Sequence, residues 1–198
     1  MTLFDFFIKR TFDIVLSGFL ILLLAPLIFV CWFIASVDTG SNGLFKQKRI
    51  GRFGNSFYIF KIKTMYDTNA SRSSITSLNK NLISRSGLFF RKSKLDELPQ
   101  LFNIFFGHMS FVGPRPDVPG YADLLIGTQR DILLIRPGIT SLPSIKYRNE
   151  EHILSLQSDP VEYNDTIIWP DKVRMNLDYI NNYKFTDDLL IIFKTVKR

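Results

Sequence analysis

Apolar and polar positions along the chain fall into three regimes. From Ile14 to Val37 there are 24 residues without a charge, enough at ~1.5 Å per residue to cross a bilayer core. Leu44–Ile50 and Ser56–Thr64 then read as two strands about the turn Gly51-Arg-Phe-Gly-Asn55. Alternation in the second strand sets Phe57, Ile59, Lys61 and Lys63 on one face. Asp67–Ser86 is rich in Ser, Thr and Asn with weak periodicity and reads as a mobile loop. Leu98, Leu101, Phe102 and Phe105 recur at helical spacing before Gly107, predicting a helix from about Leu98. Tyr121–Ile135 is plausible helix, Pro170 suits the first turn of a helix to about Tyr183, and Thr186 is placed to cap an amphipathic helix over Asp187–Lys197.

These elements predict an α+β, helix-dominated fold with a small β-hairpin. They also predict a division into a membrane anchor, residues 1–40, and a compact domain, residues 41–198, expected to be catalytic. The apolar stretch is too long for a secretory signal peptide and lacks a small-residue cleavage site. Pro26 falls near its middle, and Lys9 and Arg10 before it are matched by Lys46, Lys48, Arg49 and Arg52 after it. Cationic flanks prefer the cytoplasmic side, so positive charge at both ends conflicts with a simple span. A re-entrant helix–break–helix hairpin, broken at Pro26, removes the conflict; a tilted, Pro-kinked single span is the plainer alternative.

A net charge of +7 suits either nucleic acid or an anionic leaflet. No nucleic-acid fold signature is present, so membrane phospholipid and phosphorylated ligands are the economical partners. Cys31, the single cysteine, lies in the apolar stretch and provides neither a disulfide framework nor a thiolate metal site. His108 and His152 are isolated and read as structural or surface residues.

Chemistry concentrates in Arg91–Pro116, RKSKLDELPQLFNIFFGHMSFVGPRP. Asp96 and Glu97 stand ahead of the predicted helix, where the positive end of the dipole favours ionised carboxylates. That state suits a nucleophile or a Mg²⁺ ligand. The bland alternative is that Ser93-x-x-Asp96 is a capping box. Arg115, between Pro114 and Pro116, is held stiffly and favours phosphate over a solvated turn. Lys61 is either an edge gatekeeper or a cation aimed at phosphate. Arg136 sits in another tight turn, Arg136-Pro-Gly-Ile-Thr140.

KSKLDELPQLFNIFFGHMSFVGPRP resembles the signature of the bacterial sugar transferases, the monotopic phosphoglycosyl transferases. Lys9-Arg10…Asp13 with Pro26, Gln47-x-Arg49-x-Gly51-x-x-Gly54, Phe60-Lys61-x-Lys63-Thr64-Met65 and Arg136-Pro137-Gly138-Ile139-Thr140 match in order over nearly the whole chain. The chain is similar to the small family members, which comprise the catalytic domain and its re-entrant helix. The resemblance implies transfer of a sugar-1-phosphate from a UDP-sugar to polyprenyl (undecaprenyl) phosphate with release of UMP, on the cytoplasmic face of a bacterial inner membrane, in surface-glycan assembly. It implies Asp96 as nucleophile through an aspartyl phosphosugar, Glu97 beside it, and Mg²⁺ at the pair. Lys61, Arg91, Arg115 and Arg136 are the implied phosphate-binding residues, and a homodimer is a further expected partner. The sequence departs from the family pattern at Ala25, where Ser is frequent, and at Ser141-Leu142-Pro143-Ser144. A Mg²⁺-dependent hydrolase of membrane pyrophosphates and a non-catalytic membrane adaptor are the competing readings.

Overall fold

The computed structural model describes residues 1–67 and 82–197; most of the stretch expected to be a mobile loop lies outside them. Helix α1 runs from Leu3 to Thr39. It starts on a reciprocal cap between Thr2 and Asp5 and ends at Gly40, whose φ of 63° reverses the chain. Pro26 lies inside it, so the apolar stretch is one helix and not the two separate helices expected. A proline removes one intrahelical bond, and the remaining bonds carry the helix across it.

Both flanks of α1 dock on the domain, while the stretch between them stays largely exposed. On the first flank, Lys9 Nζ reaches Asp188 at 2.5 Å, and Asp188 also accepts from the Tyr179 and Tyr183 hydroxyls at 2.5 and 3.1 Å. Asp13 accepts from the Phe111 N–H, and Arg10 donates to the carbonyls of Ile104 and Phe105. On the second flank, Cys31 and Ala35 pack with Ile62 and Phe90, and Asp38 accepts from the Ser86 N–H and hydroxyl.

Strands β1 (Leu44–Ile50) and β2 (Ser56–Ile62) form the expected antiparallel hairpin, in register Leu44↔Ile62 to Ile50↔Ser56. Then come α2 (Arg85–Ser93), a 3₁₀ turn over Leu95–Glu97 and the short α3 (Gln100–Phe105). A second sheet was not expected: β3 (Ser110–Val112) pairs in parallel with β4 (Gly138–Thr140). Its approach requires glycine, since a Cβ on Gly138 would stand 2.2 Å from the Gly113 nitrogen. The segment before β4 is not the expected α-helix. It forms 3₁₀ turns at Ala122–Leu124 and Gly127–Leu134, divided where Gly127 takes a φ of 56°.

The remainder is helical: α4 (Leu142–Lys146), α5 (Glu150–Ser155), α6 (Pro160–Tyr163), α7 (Trp169–Asn181, with Pro170 in its first turn) and α8 (Phe185–Val196). Thr186 is inside α8 and not its cap; Lys184 precedes the helix without a side-chain cap. Val112, Ile132, Ile135, Val173, Ile180 and Ile191 form the centre of the core against which the β3–β4 loops are set.

Lys9→Met would leave the Asp188 carboxylate buried with tyrosine donors but no cation. Breaking a buried pair from one side costs about 3–5 kcal/mol. Thermal unfolding of the purified protein should show a correspondingly lower Tm, and Lys9→Arg should recover part of it.

Candidate active site

The acid pair is placed by its neighbours on either side. Lys94 adopts the left-handed conformation (φ 62°) and turns the chain out of α2. Leu95 then packs on the Cys31–Ala35–Ile62–Phe90 cluster and carries Asp96 into the protein, where it is 8% exposed. The capping-box alternative does not hold. The Ser93 hydroxyl donates back to the carbonyls of Phe89 and Phe90, and the acid pair occupies its own 3₁₀ turn ahead of Pro99.

Across from the pair stands β2. Buried Asn103 fixes the spacing: its Oδ1 accepts from the Phe60 N–H at 3.0 Å and its Nδ2 donates to the Tyr58 carbonyl at 2.8 Å. That pins α3 to the strand and brings Lys61 Nζ to 3.0 Å from Glu97 Oε1. Arg115, between its two prolines, reaches the same oxygen at 3.5 Å. Arg91 donates through Nε to Thr64 Oγ1 at 3.1 Å and adds its charge to the field at Asp96.

Two adjacent carboxylates thus receive unequal treatment. Burial would raise the Glu97 pKa, but Lys61, Arg115 and Lys94 outweigh it and hold the group at about 2. Asp96 is pushed above the ordinary carboxylate value by burial and then by the Glu97 charge; Lys61, Lys94 and Arg91 pull it back only in part. Its Oδ1 is buried with no hydrogen-bond donor among the described residues. Bare lone pairs on a desolvated carboxylate, ringed by cations held for its neighbour, are those of a group waiting for an electrophilic or cationic partner.

Of the residues singled out from sequence, Asp96, Glu97, Lys61, Arg91 and Arg115 converge here. Arg136 does not. Its Nε donates to the Gly107 carbonyl, and its field acts on Arg10 and Arg52. His108 stacks on Phe57 as a packing group.

Four contributors were missed. Lys94 and Asn103 act as described. Arg49 binds the Pro116 carbonyl at 3.1 Å and Gln47 at 2.6 Å, within the fields of Arg115 and Glu97. Asp117 is pushed up to about 6 by burial, against Lys172, Arg49 and Arg115. The Gln47-x-Arg49 alternation was the available signal for Arg49, since the pairings Gln47↔Ile59 and Arg49↔Phe57 put it on the same face of the hairpin as Lys61. Nothing in the local pattern marked Asn103 or Asp117.

A family model described as bacterial sugar transferase matches residues 4–198. The chain is 31% identical to an undecaprenyl-phosphate galactose phosphotransferase of Salmonella typhimurium, over 96% of its own length and 40% of that protein. It is 34% identical to an undecaprenyl-phosphate glucose phosphotransferase of Komagataeibacter xylinus, over 98% of this chain and 36% of the relative. It is 31% identical to an uncharacterized sugar transferase, EpsL, of Bacillus subtilis, over 96% of this chain and 86% of EpsL. The chain therefore spans well under half of the two phosphotransferases and most of EpsL.

In the folded protein Asp96 titrates above the ordinary 3.8, so its ionisation opposes folding as pH rises from below that value through the raised one. Asp96→Asn removes the charge and keeps the shape. The variant should unfold at a higher Tm than wild type, with a gap that widens from acid to neutral pH and then levels. An equal Tm at all pH values would show that Asp96 carries no such burden.

Proposed function

The chain belongs to the bacterial sugar transferase family, and on that premise we propose that it transfers a sugar-1-phosphate from a UDP-sugar to undecaprenyl phosphate, releasing UMP. The observation that carries the reading is the bare, buried Asp96 Oδ1 beside a fully compensated Glu97. Asp96, ionised, attacks the sugar-bearing phosphorus. An aspartyl O–P bond forms as the bond to the uridine-side phosphate breaks, and UMP leaves with the electron pair. A phosphate oxygen of the lipid acceptor then attacks the same phosphorus and the Asp96 carboxylate is released. A covalent carrier lets a water-soluble donor and a lipid acceptor use one site in turn.

Mg²⁺ fits the donor set. Among the described residues no group of three His, Cys, Asp or Glu converges, and Mg²⁺ ordinarily takes one or two carboxylates and completes its shell with phosphate and water. Asp96 Oδ1 and Glu97 would hold it, and it would supply charge neutralisation on the donor phosphates. Lys61, held by Glu97, and Arg115, held by its prolines, are placed to receive phosphate oxygens as negative charge shifts to the leaving group. Arg91, anchored on Thr64, adds a third cation.

The docking of α1 supports a re-entrant membrane arrangement. Lys9 and Asp13 before the apolar stretch, Cys31 and Ala35 near its end, and Asp38 just after it all contact the same domain, which supports both ends of α1 lying on the side of the bilayer that the domain occupies. The basic flanks favour the cytoplasm as that side. In a Cys31→Ser background, a cysteine at position 3 should resist a membrane-impermeant thiol reagent applied from outside. Labelling there would place the two flanks on opposite sides.

The covalent route has its own test. Enzyme, a divalent cation and labelled UDP-sugar, with no lipid acceptor, should give protein-bound label of up to about one equivalent, and added UMP should exchange into the UDP-sugar pool. Polyprenyl phosphate should discharge the label. EDTA should abolish both signals, and Asp96→Asn should lower them about 10⁴-fold or more, as for other removed nucleophiles. A preparation active with both substrates that shows neither exchange nor label excludes the aspartyl intermediate and leaves a direct transfer. A hydrolase would release products with no dependence on the lipid phosphate, and a non-catalytic adaptor would release no UMP.

A further inference from the structure

Arg136, set aside from the acid pair, lies in a second cationic group at the start of the membrane helix. Arg10 comes from α1, Arg52 from the turn after β1, and Arg136 from the turn before β4. Arg136 is close enough to repel both of the others. No salt bridge joins any of the three to a carboxylate among the described residues. Asp13, the acidic group acting on Arg10, is already an acceptor for the Phe111 N–H.

Their hydrogen bonds all go to main-chain carbonyls. Arg10 spends Nη1 and Nη2 on Ile104 and Phe105, which ties α1 to the end of α3. Arg52 and Arg136 behave differently. Each spends only Nε, on the carbonyls of Leu134 and Gly107 at 2.8 Å, and the terminal N–H groups of both forks have no acceptor among the described residues. A purely structural role accounts for Arg10 and for one N–H on each of the others. It does not account for two partly exposed forks converging with their ends unpaired.

The surroundings specify what the forks would take. Arg52 stacks over Phe6 and Phe53 at 5.0 and 4.5 Å, and Phe53, Leu134 and Phe106 present exposed apolar surface nearby in the chain. Arg10 lies one helical turn before Ile14, where the uncharged stretch begins, and this is the depth of a bilayer's phosphate layer. Paired guanidinium forks suit phosphate oxygens, and an apolar rim suits a ligand with acyl or prenyl chains over a free ion.

We propose that Arg52 and Arg136, buttressed by Arg10, form a binding site for a lipid-borne phosphate at the start of α1, distinct from the reacting acid pair. The site holds the first flank of the membrane helix at headgroup depth while the acid pair, set against the second flank, is left free for substrate. It does not depend on the transferase reading.

The test uses the detergent-purified full chain and ³¹P NMR line broadening with a thermal-shift readout. Probes are short-chain phosphatidylglycerol, farnesyl phosphate, short-chain phosphatidylcholine and inorganic phosphate. Saturable binding of phosphatidylglycerol, weakened about tenfold in Arg52→Gln and in Arg136→Gln but kept in Arg52→Lys and in Asp96→Asn, is the expected result. If farnesyl phosphate binds in the same variant-sensitive way and phosphatidylglycerol does not, the site serves the prenyl acceptor and not the bulk lipid. Equal binding by wild type and both glutamine variants, all with unchanged far-UV circular dichroism, overturns the proposal. So does loss of binding in Asp96→Asn, or binding of inorganic phosphate as tight as that of either lipid.

Discussion

An apolar helix of 37 residues whose two flanks are fastened to one domain is the constraint on which the rest depends. At the first flank the fastening is ionic and buried: Lys9 on Asp188, with two tyrosines completing the carboxylate's hydrogen bonds. A buried pair gains little over an apolar contact in stability, but it accepts only one register. At the second flank the fastening is apolar, Cys31 and Ala35 on Ile62 and Phe90, with Asp38 on Ser86. That second cluster includes Leu95, the residue next to the acid pair. The second flank of α1 and the position of the acid pair are thereby set by the same few side chains.

The same economy extends across the hairpin. Asn103 satisfies two main-chain groups of β2 with one side chain, and its own carbonyl accepts from His108 and Met109 at 2.9 and 3.1 Å. One buried amide thus joins α3, β2 and the approach to β3. Lys61 meets Glu97 only because that joint holds strand and turn at hydrogen-bonding distance.

How far the sequence reveals this varies with the origin of each feature. The hairpin is legible because its alternation and its glycine turn are local, and its observed register keeps Lys61 on the predicted side. The acid pair and Arg115 are legible because their backbone setting, a proline after one and prolines around the other, is written next to them. The capping expectation at Ser93 and the cap at Thr186 fail for a common reason: a hydroxyl has several main-chain partners within reach, and tertiary position selects among them. Tyr121–Ile135 has helical composition, yet Gly127 in a left-handed conformation and burial of Ile132 and Leu133 favour tighter turns. Arg136 illustrates the hardest case. Its motif groups it with the residues expected to bind phosphate, but the direction of its side chain depends on a carbonyl at Gly107, 29 residues away.

The division of labour between Asp96 and Glu97 has a geometric origin. A 3₁₀ turn advances about 120° per residue, so consecutive side chains leave the backbone in different directions even though their Cα atoms are neighbours. Glu97 is thereby turned toward β2 and the proline-bound arginine, and it gathers Lys61 and Arg115 on one oxygen. Asp96 is turned into the buried side that Leu95 has created and meets neither. Were the pair in the first turn of α3, both carboxylates would point toward free N–H groups, and both would be stabilised as caps. Pro99 starts α3 only after the pair has passed. Chain neighbours thus end with opposite shifts: one charge is locked in place to hold the cations, and the other is left short of partners beside them.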